Sequence, residues 1–343
     1  MSETVSEIEV RSAGAYASIQ DGGRRGLRRV GVPWSGVLDP AWMKIANALV
    51  GNQATAPVIE HFDGGLVLKV TQGRVRMAFA GQANVDVSGE QGVQRVVCWR
   101  SVCVNAGETL RIRALRAGRL VVVGVGGLQV AQTLGSASTY ARAGIGKPLA
   151  VGDRLSARFT EASDFLLPEP PIDNDEAIRV VAGPQAGNFV DDALAQLCAA
   201  PFAVTDQADR MGIRLQGPLL RHRSDAHKDI ISDATVPGSM QVPGSGQPIV
   251  LLADAQTAGG YPKIATVISA DLGRLAKRRA GETLRFQLVD VAAAEQAART
   301  HAQRLAQLIA SIRRLPGDGS VDVEALYNSG LISAPIGAFE IEE

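Results

Sequence analysis

Val67-Leu68-Lys69-Val70, Val75-Arg76-Met77-Ala78-Phe79-Ala80 and Val85-Asp86-Val87 decide the fold. Each is a short run rich in apolar and β-branched residues, separated from the next by glycine or by Thr71-Gln72-Gly73. β-Branched side chains pack well on a pleated surface, and glycine punctuates strands with turns. The pattern continues through Val93–Val97, Ser101–Val104, Thr109–Arg113 and Leu120–Val125, with turn signals at Asn105-Ala106-Gly107-Glu108 and Arg116-Ala117-Gly118. Turns at roughly 8- to 12-residue spacing predict a barrel or sandwich rather than βαβ units. A helix interrupts the strands. Asp39 is a good N-cap, Pro40 suits the first helical position and Gly51 can end it.

Leu167 to Glu176 is rich in proline and acid and reads as a linker, because proline cannot donate to a sheet. A second β-rich section opens at Ile178-Arg179-Val180-Val181. It holds an expected helix over Asn188–Cys198 and strands over Ile213–Leu215, Met240–Val242, Ile249–Ala253, Thr266–Ile268 and Leu284–Leu288. An alanine-rich amphipathic helix is expected from about Val291 to Leu315, ended by Pro316-Gly317, and Ala334-Pro335-Ile336-Gly337 in the tail reads as a docking arm. The expected organisation is a barrel-like domain over 1–166, a linker over 167–176, a second barrel domain over 177–290, and a helix and tail over 291–343.

Composition narrows the function. Lys plus Arg and Asp plus Glu both number 35 in 343 residues, which disfavours nucleic acid or an anionic membrane as the partner. There is no apolar run of about 18 residues, as a spanning helix needs. The polar start Met1-Ser2-Glu3-Thr4-Val5-Ser6-Glu7 lacks the character of a leader, so a cytoplasmic protein is expected. Cys98, Cys103 and Cys198 cannot all pair; the first two, five apart, read as core thiols on opposite faces of a strand. His222 and His227 are also five apart, which fits no standard zinc pattern, and no metal is expected. Nucleophile-elbow, P-loop and dinucleotide fingerprints are absent.

Several polar clusters remain. Asp21-Gly22-Gly23-Arg24 reads either as a surface turn or as an anion site built from glycine amides and Arg24. Ser35-Gly36 lies just ahead of a helix N-terminus, and Asp39 reads as a cap or a functional acid. Arg210, within Asp206–Gly212, reads as an ion-paired turn or a carboxylate clamp. The strand Ile249–Ala253 delivers Asp254 and Gln256 to its end, and Gly259-Gly260 then turns to present Tyr261 and Lys263. Lysine is scarce, which draws attention to Lys263.

These segments resemble the KipA-like C subunit of bacterial 5-oxoprolinase, in the biotin-dependent carboxyltransferase-like or allophanate hydrolase subunit 2 family. The resemblance rests on Ile19-Gln20-Asp21 with Gly26, Gly31-Val32-Pro33 through Ser35-Gly36 to Asp39-Pro40, and Ala46-Asn47 to Gly51-Asn52. It continues through Ser138-Thr139-Tyr140, Val180 to Gln185, Asp209-Arg210-Met211-Gly212, Val236-Pro237-Gly238 and Gln247 to Lys263. The chain departs from the family at Ala234, Ala255 and Ala258, where glycine, arginine and threonine are common, and extends past the usual end beyond about 315. The resemblance implies a mainly β protein of two cyclophilin-like β-barrel domains with a few short helices and a C-terminal helix. It also implies two partners, one KipI-like and one LamB/YcsF-like. With them such proteins open 5-oxoproline to glutamate at the expense of ATP, which the complex would handle. On these positions Lys263 and Tyr261 would polarise the lactam, and Asp21 and Asp39 would orient loops or move protons. Arg210, Gln256, Ser35, Gly259, Gly260 and Arg24 would bind substrate. The resemblance leaves two alternatives: a carboxyltransferase component using biotin, or a regulator that binds a KipI-like kinase inhibitor.

Overall fold

The computed structural model describes residues 4–159, 163–171 and 176–315, and it is mainly β. Ten strands between Thr4 and Phe159 form one sheet and eight short strands between Ile178 and Leu288 form another, each with its own apolar core. The second sheet runs from Thr283–Leu284 at one end to Phe286–Leu288 at the other. Those two strands are consecutive in the chain, with only Arg285 between them. The sheet must therefore curl until its ends meet, which makes it barrel-like.

Two elements of the first sheet differ from the sequence reading. Val75–Ala80 and Val85–Val87 belong to one strand, Arg74–Gly89, and Thr109–Arg113 and Leu120–Val125 to another, Thr109–Val125. The two pair antiparallel along most of their length, with register shifts between Ala80 and Val85. Gly81 (φ 145°) and Gly118 (φ 61°) sit in this region. The Arg116-Ala117-Gly118 turn signal thus marks a bulge that bends a long strand around the core, not a chain reversal. Cys98 lies in a turn before the strand Ser101–Asn105, so it and Cys103 do not share a strand.

The helix Pro40–Val50 forms as its sequence predicts. Asp39 Oδ1 accepts from the Ala41 and Trp42 N–H groups, and Gly51, at φ 79°, closes the C-terminus. Its buried face, including Met43, Ile45, Ala46 and Leu49, fills the first core. Close approach depends on Gly124, where a Cβ would lie 2.5 Å from the Ala46 carbonyl oxygen. The expected Asn188–Cys198 helix is instead a 3-10 turn, Ala186–Asn188, followed by the helix Ala193–Ala199. The last helix is Val291–Ala310, shorter than expected. It carries Leu305 back onto the first core, after which Arg313–Arg314 pairs with Phe165–Leu166. Leu167, the first residue of the expected linker, is buried in that same core. Residues 172–175 of the linker, Pro316-Gly317 and the Ala334–Gly337 arm lie outside the described residues.

The two halves are joined by polar ties over an apolar contact. Leu38, Phe62 and Leu120 of the first half extend the second core. Beside them Arg210 is buried between Glu60 and Asp254. Its Nε and Nη2 donate to the two Asp254 oxygens at 2.9 and 3.1 Å, Nη1 pairs with Glu60, and Nη2 also reaches the Gly36 carbonyl at 2.6 Å. The other Glu60 oxygen accepts the Leu38 N–H at 2.7 Å. Burial works against the Arg210 charge, but Glu60 and Asp254 outweigh it and hold the guanidinium charged. Burial pushes the Glu60 carboxyl up, against the pull of Arg210. A second tie joins Lys277 to Asp39 Oδ2 at 2.7 Å, with the ammonium 3.9 Å from the Trp42 ring centroid.

Removing one member of such a buried cluster strands the rest in low dielectric. Arg210→Met is expected to cost about 3–5 kcal/mol of stability, read as a lower urea midpoint. Lys228→Ala, at the exposed surface pair with Asp225, should leave the midpoint nearly unchanged.

Candidate functional site

Two adjoining clefts lie along the seam between the halves. The first, about 370 Å³, is lined by Tyr16, Phe62, Arg119 and Tyr140, with Arg210 and Asp254 among its residues. The second, about 500 Å³, is lined by Gln241, Gln256 and Tyr261 among others. They share Arg142, Ala208, Asp209 and Met211.

The second cleft collects much of the Ile249–Lys263 segment. Gln256 Nε2 donates to Gln241 Oε1 at 3.3 Å, while Gln241 Nε2 is buried with no hydrogen-bond partner among the described residues. Gly259 lies against both amides: a Cβ there would be 2.5 Å from Gln241 Nε2 and 3.4 Å from Gln256 Nε2. The need for glycine at 259 is therefore space beside the glutamines, since neither Gly259 nor Gly260 has left-handed backbone. Tyr261 is 42% exposed at the rim.

Lys263 neighbours Gln241 on the next strand, in the register Gln241↔Lys263. It is buried, and its Nζ donates to Asp233 Oδ2 at 2.8 Å. Gln185 clasps the pair from the other side: its Nε2 donates to Asp233 Oδ2 at 2.9 Å and its Oε1 accepts the Lys263 N–H at 3.2 Å. Asp233 is about half exposed, and the Lys263 and Gln185 donors, with the Ala234 N–H, hold its carboxyl down to about 2. Gly183 makes this clasp possible, because a Cβ there would fall 2.2 Å from the Lys263 carbonyl oxygen.

Of the candidate residues only Gln256 and Tyr261 line the glutamine cleft; Lys263, Gly259 and Gly260 do not, and the remaining candidates take other positions. Arg210 sits in the seam, with four of its five N–H directions spent on Asp254, Glu60 and Gly36. Asp39 is committed to its helix and to Lys277. Asp21 Oδ1 accepts from the Ser136 and Ser138 hydroxyls, both at 2.5 Å, and from the Gly23 N–H at 2.8 Å; Oδ2 accepts the Ala137 N–H at 2.7 Å. Burial works to raise this carboxyl, but the four donors outweigh it and hold it low. Arg24 donates Nε to the Thr133 carbonyl at 3.1 Å and Nη2 to the Ser138 carbonyl. Ser35 is left-handed at φ 52°, and its buried hydroxyl has no partner among the described residues. The loops around Gly23 and Gly36 interlock, with the Val37 N–H donating to the Asp21 carbonyl at 3.0 Å. The sequence does not single out Gln185, Asp233 or Gln241. Gln241 had one available signal, a polar residue inside the otherwise apolar Met240–Val242. Gln185 and Asp233 are brought to Lys263 only by tertiary structure. No group of three or more His, Cys, Asp or Glu is placed to hold a metal among the described residues. No helix among them is long and apolar enough to cross a membrane.

Comparison with known proteins assigns this pair of β-rich halves to a class. The chain belongs to the family of the carboxyltransferase domain, subdomain A and B, which it matches over residues 30–288. Within that class it is similar to the 5-oxoprolinase C subunit of Escherichia coli (strain K12), 35% identical over 294 residues, covering 81% of this chain and 90% of that one. The 5-oxoprolinase C subunit of Haemophilus influenzae is 36% identical over 293 residues, with 83% and 92% covered. The solved protein TTHA0988 superposes with a TM-score of 0.74 at 35% identity; the match covers 83% of this chain but only 56% of that longer one.

The clasp around Asp233 makes a direct prediction. In Lys263→Met the Asp233 midpoint should rise from about 2 toward the ordinary value of about 3.9, read by carboxyl NMR titration. The lowered native value means the ion pair stabilises the fold above roughly pH 4, and that contribution is lost as pH falls toward 2. At Gly183→Ala the added methyl must displace the strand at Lys263, and overpacking of this kind costs about 1–3 kcal/mol. The expected readout is a lower melting temperature with Asp233 titrating higher.

Proposed function

We propose that this chain is a subunit of an ATP-dependent 5-oxoprolinase and that the glutamine cleft holds the lactam of 5-oxoproline. The observation that carries the reading is the match to two 5-oxoprolinase C subunits over nine-tenths or more of their length. The site chemistry supports it. A lactam presents one N–H and one C=O, and side-chain amides offer the complementary donor and acceptor. Gln241 Nε2, buried and without a partner among the described residues, supplies a donor for the carbonyl, and Gln256 and Tyr261 flank it. Asp233 is the accessible member of the Lys263 pair and takes the role of proton acceptor. Lys263 is a positioning residue, which fixes the orientation of that carboxylate through the Nζ–Oδ2 hydrogen bond. Arg210, Asp21 and Asp39 build the scaffold that holds the cleft.

In the overall reaction water adds to the lactam carbonyl, the ring C–N bond breaks, and nitrogen takes up a proton to give glutamate, with ATP hydrolysis driving the step. ATP would be handled through a complex with two partners, one KipI-like and one LamB/YcsF-like. Ile231 (95% exposed), Val236 and Tyr261 border the paired strands Asp233–Ala234 and Ala258–Gly259 as an apolar rim suited to a protein neighbour. The longer solved relative, of which this chain spans little more than half, fits a unit that works beside further protein. A second reading, carboxyl transfer from carboxybiotin to an amide-like acceptor, is favoured by the family's own description as a carboxyltransferase domain.

Co-expression with candidate KipI-like and LamB/YcsF-like partners tests the proposal. 5-Oxoproline-dependent ATP hydrolysis with glutamate release is expected, and Asp233→Asn should lower kcat by about a hundredfold or more. Gln256→Ala should mainly raise KM. Carboxybiotin-dependent transfer without lactam opening would establish the second reading instead, and unchanged turnover in both variants would remove the site assignment.

A further inference from the structure

A third cavity, of about 380 Å³, lies on the first half of the molecule and shares no lining residue with the two seam clefts. Its lining carries three cations, Arg24, Lys147 and Arg154, against one carboxylate, Asp153. Asp153 is already engaged by Lys147 at 2.6 Å and by the Ala150 N–H at 2.9 Å. Arg24 is 2% exposed. Its Nε and Nη2 are spent on the carbonyls of Thr133, Ser136 and Ser138, whereas Nη1 has no partner among the described residues. A buried guanidinium edge without an acceptor is costly, and an anion satisfies it. Thr133 and Thr139 add hydroxyls to the lining, while Leu149 and Leu155 give an apolar wall.

We propose that this cavity is a binding site for a compact organic anion, with a carboxylate or phosphate head on Arg24 and an apolar body against Leu149 and Leu155. Arg24 is gripped through three carbonyls of one loop, so its charge is fixed at the cavity wall and loses little freedom when an anion arrives. Arg154 exchanges its present partner Glu7 for the head group, while Lys147 keeps Asp153 paired and so holds the cavity's charge positive. The site is separate from the lactam reading and stands or falls without it.

The test is calorimetric titration of the full chain with benzoate and with phenyl phosphate at constant ionic strength, using chloride as the control anion. The expected result is saturable binding of at least one probe. The affinity should weaken by about tenfold or more in the double variant Lys147→Ala, Arg154→Ala and stay unchanged in Gln256→Ala. Both altered cations are exposed, so the double variant should keep its fold, checked by its melting temperature. The tighter probe identifies the head group. No saturable binding of either probe, equal affinity in the double variant, or loss only in Gln256→Ala would overturn the proposal. Lactam-dependent turnover, measured separately, reports on the glutamine cleft alone.

Discussion

The architecture depends on a single guanidinium. Arg210 leaves the second sheet and is swallowed by the seam, where Glu60, Asp254 and the Gly36 carbonyl claim its donors. Burying three charges together is expensive, and only a full set of hydrogen bonds makes it tolerable. That requirement acts as a register mark. Glu60 lies in the first sheet, Gly36 in the loop before the first helix, and Asp254 in the turn that follows the strand Ile249–Leu251 of the second sheet. The four groups meet only if the two halves sit at one relative orientation. An apolar contact through Leu38, Phe62 and Leu120 would hold the halves together but would specify their angle less sharply.

The candidate site follows from that orientation. Asp254 is two residues from Gln256, and the Ser35 N–H donates to the Ala253 carbonyl at 3.0 Å, so the strand end carrying the cleft is anchored to the first half. Arg28 extends the anchor by donating to the Gln256 carbonyl at 2.9 Å. The cleft side chains hang from backbone that two halves jointly hold. Glycine then supplies the clearances: Gly259 beside the two amides, and Gly183 beneath the lysine clasp. Both positions exclude a methyl group for lack of space, which composition alone could not distinguish from ordinary turns.

Local signals were legible in the sequence wherever the physics was local. Asp39, Pro40 and Gly51 bracket the first helix because capping acts within one helical turn. The β-rich character followed from alternation and turn spacing. Bulges were misleading, because a glycine that bends a strand at 81 or 118 looks like one that ends it. The roles of charged residues were the least legible. Asp21 reads as a loop acid until Ser136 and Ser138, more than a hundred residues away, bring their hydroxyls to it. Arg210 reads equally as an ion-paired turn or a clamp, and its partners Glu60 and Asp254 come from distant segments. Gln185 and Asp233 acquire meaning only from Lys263, across strands distant in the chain. A family resemblance marks out segments, yet it does not separate residues that build the seam from those that face the cleft.

The meeting of the second sheet's ends at Arg285 bears on how this molecule can associate. A sheet with a long free edge invites another chain to add a strand to it. Here the two end strands are only Thr283–Leu284 and Phe286–Leu288, so among the described residues the curled sheet offers no long ladder of unpaired backbone groups. A neighbour approaching this half must engage loops and side chains, such as the apolar rim around Ile231 and Tyr261. Recognition through side chains can be tuned residue by residue, so related units could differ in which neighbour they accept while keeping the same curled sheet.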